Sequence, residues 1–287
     1  MKIIKSFQQN TPEWIEWRKN KIGSSDASII LNVSPWTSPM QLWERKLDIA
    51  PEQKESLAMS RGKALEHEAR CEFIQLKNMS FAPEIVQHAQ HDFLIASLDG
   101  LSVCEKYAVE IKCSGREDHL LALQGIVPKK YVPQLQHQLA VTGLDMIYYY
   151  SYDGVNNACI EVQRDQEYID KLIQEELKFY TYMVTCTPPE LSACDYNIRT
   201  DDKWQVYARD WIEAHEKLKW WQDHEKAMRQ DLIEASQSQN SKGCGVKVQK
   251  IMRSGAIDYS KIKELEGIDL DQYRKPETES WRITIDG

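Results

Sequence analysis

Ala108-Val109-Glu110-Ile111-Lys112-Cys113 lies near the middle of the chain and carries its clearest pairing of strand pattern and charge. Val109 and Ile111 are β-branched and alternate with Glu110 and Lys112, the pattern of a short β-strand. Period two sends the two apolar side chains to one face and the carboxylate and ammonium to the other. Just upstream, Phe93-Leu94-Ile95-Ala96-Ser97-Leu98 reads as a second apolar strand that ends at Asp99-Gly100. Asp-Gly by itself is a hairpin signal, and Glu110 with Lys112 by themselves are the exposed face of a half-buried strand. Together they place an Asp at one strand end beside a Glu-x-Lys strand, a set of oxygen donors suited to a hard divalent cation.

Working outward, the 42% hydrophobic and 28% charged composition is that of a globular chain rather than a disordered one. No apolar run approaches the ~20 residues of a membrane helix, and Met1-Lys2-Ile3-Ile4-Lys5 lacks a signal-type apolar segment. Seven cysteines without a CxxC pair argue for reduced thiols and against a disulfide scaffold or zinc knuckle. A cytoplasmic protein is the expectation. The net charge of −8 opposes indiscriminate binding to nucleic acid, so a DNA-binding reading requires local positive groups and bound cations.

Upstream of the two strands, Thr11-Pro12-Glu13-Trp14 opens a helix, with Thr11 as N-cap and proline in the first turn. Ile22-Gly23-Ser24-Ser25 reads as a glycine turn, a serine cap and a second short helix. Arg18 and Ser25 beside that helix start would seat a phosphate, although taken alone they are more often ordinary capping beside a surface arginine. Ser38-Pro39 caps a helix through Leu47, and residues 49–55 are a polar loop. A helix from about Gly62 to Lys77 carries the stripe Leu65, Ala69, Phe73 and Leu76. Glu66 borders that stripe, within reach of a cleft, although an isolated helix glutamate is more often solvated.

An edge strand is expected over Ile85–His91. Downstream of Cys113 come a loop or short helix, the basic-aromatic Lys129-Lys130-Tyr131, and a helix opened by Pro133 in which Gln134 and Gln138 share a side. Gln134 there faces a bound water or phosphate, or simply solvent. Strands follow at Met146–Tyr152 and Ala158–Val162, then a helix from Gln166 to about Val184. Pro188-Pro189 is the expected boundary, dividing a core (1–187) from a C-terminal extension (188–287) packed on it. The extension reads as a long helix over 202–235, with Trp204, Tyr207, Trp211, Leu218, Trp221 and Met228 for packing. It continues as a loop over 236–245, strands at 246–251 and 281–285, and a short helix near 260–265.

Five motifs occur in order over roughly residues 11–153: Trp17-Arg18 with Ile22-Gly-Ser-Ser25, Arg61-Gly-Lys-Ala-Leu-Glu66, Ser97-Leu-Asp99-Gly, Val109-Glu110-Ile-Lys112-Cys113, and Tyr131-Val-Pro-Gln134-Leu-Gln-His-Gln138. In this order they resemble the PD-(D/E)xK nuclease superfamily and, within it, the lambda exonuclease and YqaJ-type viral recombinase family, the phage-type alkaline exonucleases. Leu98 stands where the superfamily name has proline, a departure that this family tolerates. The segment after Pro189 exceeds a minimal nuclease core.

The resemblance implies an α/β (α+β) fold, a mixed sheet flanked by helices, with a helical and small-sheet extension. It implies a 5′→3′ exonuclease that digests one strand of double-stranded DNA from its ends. The 3′ single-stranded overhangs would serve a single-strand-annealing partner protein. A homotrimeric ring around the DNA is also implied, and Arg18 and Ser25 match the family's 5′-phosphate site. The corresponding mechanism uses two Mg²⁺ ions about 4 Å apart, with Mn²⁺ expected to substitute. Asp99 bridges the ions, Glu110 and the Ile111 carbonyl hold one, and Glu66 holds the other. Lys112 orients or deprotonates the attacking water, and Gln134 positions the water or scissile phosphate. A structure-selective or restriction-type endonuclease of the same fold, or a non-catalytic DNA-end binding module, uses many of the same residues. The intact Asp/Glu/Lys set argues against the non-catalytic alternative.

Overall fold

The computed structural model describes residues 1–6, 9, 11–50, 57–113, 115–251 and 255. The chain divides into two compact units, Met1–Asn197 and Ile198–Gly287.

The first unit is built on a seven-stranded mixed sheet. Its strands are β1 (Lys2–Ile3), β2 (Ile22–Gly23), β3 (Phe81–Gln87), β4 (Leu94–Ser102), β5 (Ala108–Lys112), β6 (Met146–Tyr152) and β7 (Asn157–Gln163). The order is β1-β3-β4-β5-β6-β7, with β2 parallel to β4 off that path. β4 and β5 are antiparallel, β5 and β6 parallel, and β6 and β7 an antiparallel hairpin. The parallel pair needs a crossover. It is supplied by α5 (Arg116–Leu123), a 3-10 turn (Lys129–Tyr131) and α6 (Val132–Thr142).

Helices cover both faces. On one, α6 packs with α2 (Ser24–Ile30) and α7 (Gln166–Val184), and Leu135, Leu139, Phe179 and Met183 join Ala108, Ile147 and Tyr149 in one core cluster. On the other, α4 (Leu57–Lys77) places Ala69 and Phe73 against Val109, Ile111, Tyr150 and Tyr152. The alternation along β5 is therefore real, but neither face is open: Ala108 through Ile111 are all buried. Every residue of α6 from Pro133 to Thr142 is buried, and Gly143, at φ 74°, ends it in the left-handed conformation that glycine adopts without strain.

Several expectations are corrected. β4 does not end at Asp99 but runs on to Ser102. Gly100 is there for room: a Cβ would lie 2.8 Å from Val109 Cγ1 and 3.0 Å from Phe81 Cβ. Glycine in this strand marks a close approach of neighbouring chain, not a turn. β3 starts at Phe81, four positions ahead of the expected start, and it lies inside the sheet between β1 and β4. Ile22-Gly23 is a strand and Gly23 itself the N-cap of α2, its amide donating to Asp26 Oδ2 at 2.9 Å. Leu76, expected on the apolar stripe of α4, is exposed. Thr11 and Ser38 cap α1 (Pro12–Lys19) and α3 (Pro39–Lys46) as expected.

The segment beyond Pro189 stays with the first unit as far as Asn197; Ser38 Oγ donates to Asp195 Oδ1 at 2.5 Å. The second unit contains α8 (Asp202–Ala235) and a hairpin of β8 (Ser241–Gly243) and β9 (Val246–Val248). The partner of 246–248 thus comes from within the expected loop. The expected strand at 281–285 and helix near 260–265 lie outside the described residues. Among the described residues no helix is long and apolar enough to cross a membrane, and all seven cysteines are free thiols.

Candidate active site

Glu110 sits at the centre, 3% exposed. A carboxylate so deeply buried must be matched by donors. Lys112 Nζ lies 2.6 Å from its Oε1, Gln134 Nε2 donates to Oε1 at 2.6 Å, and Gln138 Nε2 donates to Oε2 at 2.5 Å. The two glutamines are one helical turn apart on α6, so their amides grip both oxygens from one side. Gln134 is therefore not a solvent-facing side chain.

Asp99, on the neighbouring strand, accepts the Ile111 amide at Oδ2, 2.7 Å away. That bond fixes the carboxylate beside the Ile111 backbone. Burial pushes the Asp99 carboxyl well above the ordinary range, and the charges of Glu110 and Glu66 push it further; Lys112 and the Ile111 amide only partly oppose them. Three acidic groups far apart in sequence thus feel one another electrostatically. Burial would lower the Lys112 ammonium, but Glu110 and Asp99 outweigh burial and raise it, so Lys112 is held protonated.

Glu66 reaches the site from α4. Arg70, four residues on, lies 2.5 Å from Glu66 Oε1 and donates from Nε to the Asp99 carbonyl oxygen at 2.7 Å. One guanidinium therefore pins the helix bearing Glu66 to the strand bearing Asp99.

A cleft of about 980 Å³ opens over these groups, and Arg18, Ser25, Glu66, Ile111, Lys112 and Gln134 all line it. Two groups lie against this lining: Glu110 contacts Lys112 and Gln134, and Asp99 accepts the Ile111 amide. The side nearest Arg18 is built on an unanticipated buried pair: Lys46 Nζ lies 2.7 Å from Asp26 Oδ2 and donates to the Lys21 carbonyl at 2.6 Å. Burial alone would raise the Asp26 carboxyl, but Lys46 and Arg18 together lower it. On the opposite wall Asp118 holds Lys130 at 2.8 Å and accepts the Tyr131 hydroxyl at 3.1 Å. Six of the eight residues singled out from sequence thus line one cleft, with the other two, Asp99 and Glu110, just beneath it.

Gln138, Arg70, Asp26, Lys46 and Asp118 were given no role from the sequence. Two of them carried a signal: Gln138 is four residues from Gln134, and Arg70 four from Glu66. Asp26 and Lys46 meet only through tertiary packing.

The donors at the floor are hard oxygens, which fit magnesium in kind. Among the described residues no three His, Cys, Asp or Glu side chains are grouped to enclose an ion by themselves. Magnesium does not require that, since it is commonly held by one or two carboxylates with waters and substrate phosphates completing the octahedron.

The mixed sheet, flanking helices and Asp/Glu-x-Lys floor give the first unit the fold of the PD-(D/E)xK-type exonucleases. Two crystal structures of the alkaline exonuclease LHK-Exo from Laribacter hongkongensis superimpose on it. One has 26% sequence identity and a TM-score of 0.52. The other, a complex with dAMP, has 24% identity and a TM-score of 0.53, and speaks for the fold alone. Each comparison covers 61% of this chain and 93% of that one.

Residues 13–145 match the YqaJ-like viral recombinase domain. All five motifs of the resemblance begin and end within that span. The uncharacterized protein YqaJ of Bacillus subtilis is 30% identical over 184 residues, a match covering 62% of this chain and 58% of that relative.

Proposed function

We propose that the first unit is a Mg²⁺-dependent 5′→3′ exonuclease that digests one strand of double-stranded DNA from its ends, leaving 3′ overhangs for a single-strand-annealing protein. The observation that carries this reading is the shared cleft: Arg18 and Ser25 line the same space as Glu66, Ile111, Lys112 and Gln134, above Asp99 and Glu110. A cationic seat and an acidic floor within one cleft suit a substrate whose terminal phosphate is gripped while a neighbouring phosphodiester is hydrolysed.

Asp99, Glu110 and the Ile111 carbonyl, with Glu66 across the cleft, are the residues that would hold Mg²⁺. When bound, magnesium supplies Lewis acidity and a nucleophilic hydroxide near neutral pH. Arg18 and the Ser25 hydroxyl hold the 5′-terminal phosphate and so set polarity and register. Lys112, already an ammonium, offsets negative charge developing on the phosphate oxygens and orients the attacking water. Its tight pairing with Glu110 favours this electrostatic role over proton abstraction. Gln134 and Gln138 fix the position of the Glu110 carboxylate by donating to its two oxygens.

The test is digestion of linear duplex DNA and of closed circular plasmid with Mg²⁺ by the wild type, Asp99→Ala and Lys112→Ala. Loss of at least about 100-fold in rate on linear DNA is expected for each variant, with the plasmid left intact by all three. Full-rate digestion by either variant would sink the assignment, and nicking of the plasmid by the wild type would make it an endonuclease.

A further inference from the structure

The second unit carries a feature that the nuclease reading leaves unused. α8 is 34 residues long, about 51 Å at 1.5 Å per residue, and none of its residues is buried. Its large apolar side chains are nonetheless numerous, with Trp204, Tyr207, Leu218 and Trp221 each more than half exposed. Six exposed ones, Trp204, Tyr207, Leu218, Trp221, Met228 and Leu232, fall on one seam, with Val206, Ile212, Trp220 and Ile233 off it. Stepping from Trp204 by alternating threes and fours meets Tyr207, Trp211, Ala214, Leu218, Trp221, Glu225, Met228, Leu232 and Ala235. Nine of the ten positions on this seam are apolar. A 3-4 spacing kept over the whole of a helix is the repeat of a coiled coil, and a seam that narrow suits a partner helix better than a sheet.

We propose that α8 pairs with α8 of a second copy of this chain as a two-stranded antiparallel coiled coil. The area is sufficient. Trp204, Tyr207 and Trp221, aromatic side chains of ~150–250 Å² each and more than half exposed, with the partly exposed Trp211 and with Leu218, Met228 and Leu232, offer on the order of 700 Å² per helix. Two such helices bury about 1,400 Å², within the range of specific stable interfaces.

The direction follows from the one charged residue on the seam. In a parallel pair Glu225 would face Glu225 of the second copy, two carboxylates forced together on the axis. In the antiparallel pair centred between Leu218 and Trp221, Glu225 faces Ala214 of the second copy. Its carboxylate then turns outward to Arg229, already 2.7 Å away. The same register sets each large residue against a smaller or more pliant one: Trp204 against Ala235, Trp211 against Met228, Trp221 against Leu218. Large against small is how facing layers interdigitate without voids. A parallel pair would stack Trp204 on Trp204 and leave Ala214 on Ala214.

Sedimentation equilibrium on the full chain tests this, comparing the wild type with Leu218→Glu and Trp221→Glu. Each of these should sediment at half the wild-type mass, whatever association the first unit contributes. The outward-facing control Gln205→Glu should keep the full mass. No α8 residue is buried, so retained helical circular dichroism is expected and checks that the fold survives. Seam variants of unchanged mass would overturn the proposal and mean that the chain's own remaining residues cover the seam. For direction, wild type mixed with Glu225→Lys should give a statistical 1:2:1 distribution by native mass spectrometry. Strong enrichment of the mixed dimer would place position 225 opposite itself and overturn the antiparallel arrangement.

Discussion

At the scale of single residues, the site is a balance of like charges held in place by a few donors. Gln138 is the sharpest example, since its side-chain amide donates to the Glu110 carboxylate. Gln138→Met keeps volume and removes the donor. It should lower the rate of duplex digestion about 10–100-fold and raise the Mg²⁺ concentration needed for half-maximal rate. Unchanged Mg²⁺ dependence would remove Gln138 from the site. Asp99 gives a prediction of opposite sign for stability. Its folded-state carboxyl is raised by burial and by Glu110 and Glu66. Ionising it therefore costs folding free energy, a cost absent below the ordinary carboxylate range, growing as pH rises from that range toward the raised value and constant beyond it. Asp99→Asn, which still accepts the Ile111 amide, should be more stable than the wild type at neutral pH in metal-free buffer, with the difference vanishing in acid. Thermal melts at pH 4 and 7.5 with EDTA measure this; a less stable Asn variant at pH 7.5 contradicts it.

At the scale of elements, α6 determines how Glu110 is presented, and α6 is itself held by a buried charge. His137 Nδ1 lies 2.6 Å from Glu176 Oε1, and its Nε2 lies 2.9 Å from the Ile95 carbonyl. A carbonyl only accepts, so Nε2 carries a proton, while Nδ1 faces the Glu176 carboxyl group. Burial alone would lower the imidazole pKa, but Glu176 and the Ile95 carbonyl outweigh it and raise it. Because the folded value exceeds the unfolded one, this stabilisation is complete below about pH 6.5 and is lost as pH climbs through the raised value. Glu176→Gln leaves a buried cation beside a neutral amide and should destabilise by about 3–5 kcal/mol. It should also flatten the decline in stability on the alkaline side. Urea unfolding at pH 6 and 9 reads both effects, and a loss under 1 kcal/mol would show that the pair does not hold α6.

At the scale of the whole molecule, the sequence was most legible where periodicity and chemistry agreed. β5, the β6–β7 hairpin and α7 were readable because apolar spacing and flanking turn residues pointed the same way. The candidate site was readable as residue types in order, which is why residues from Arg18 to Gln134 could be grouped before any fold was known. What was not readable depends on three dimensions. Asp99-Gly100 reads as a turn in one dimension, and only the 2.8 Å approach of Val109 shows that glycine serves packing there. The Asp26–Lys46 pair joins two helices with no local signature. Trp204, Tyr207 and Trp221 of α8 look like packing residues in the sequence, whereas on the helix they are exposed.

In the proposed function one cleft both grips a 5′-phosphate and hydrolyses the adjacent strand with Mg²⁺. The most direct measurement uses duplexes labelled separately at each 5′ and 3′ end, with and without a 5′-phosphate, in Mg²⁺ or EDTA, for the wild type and Arg18→Ala. The account predicts early release of the 5′ label and late release of the 3′ label. Cleavage should be faster with a 5′-phosphate, much less so in Arg18→Ala, and absent in EDTA. Release of the 3′ label first, or undiminished digestion in EDTA, would contradict it.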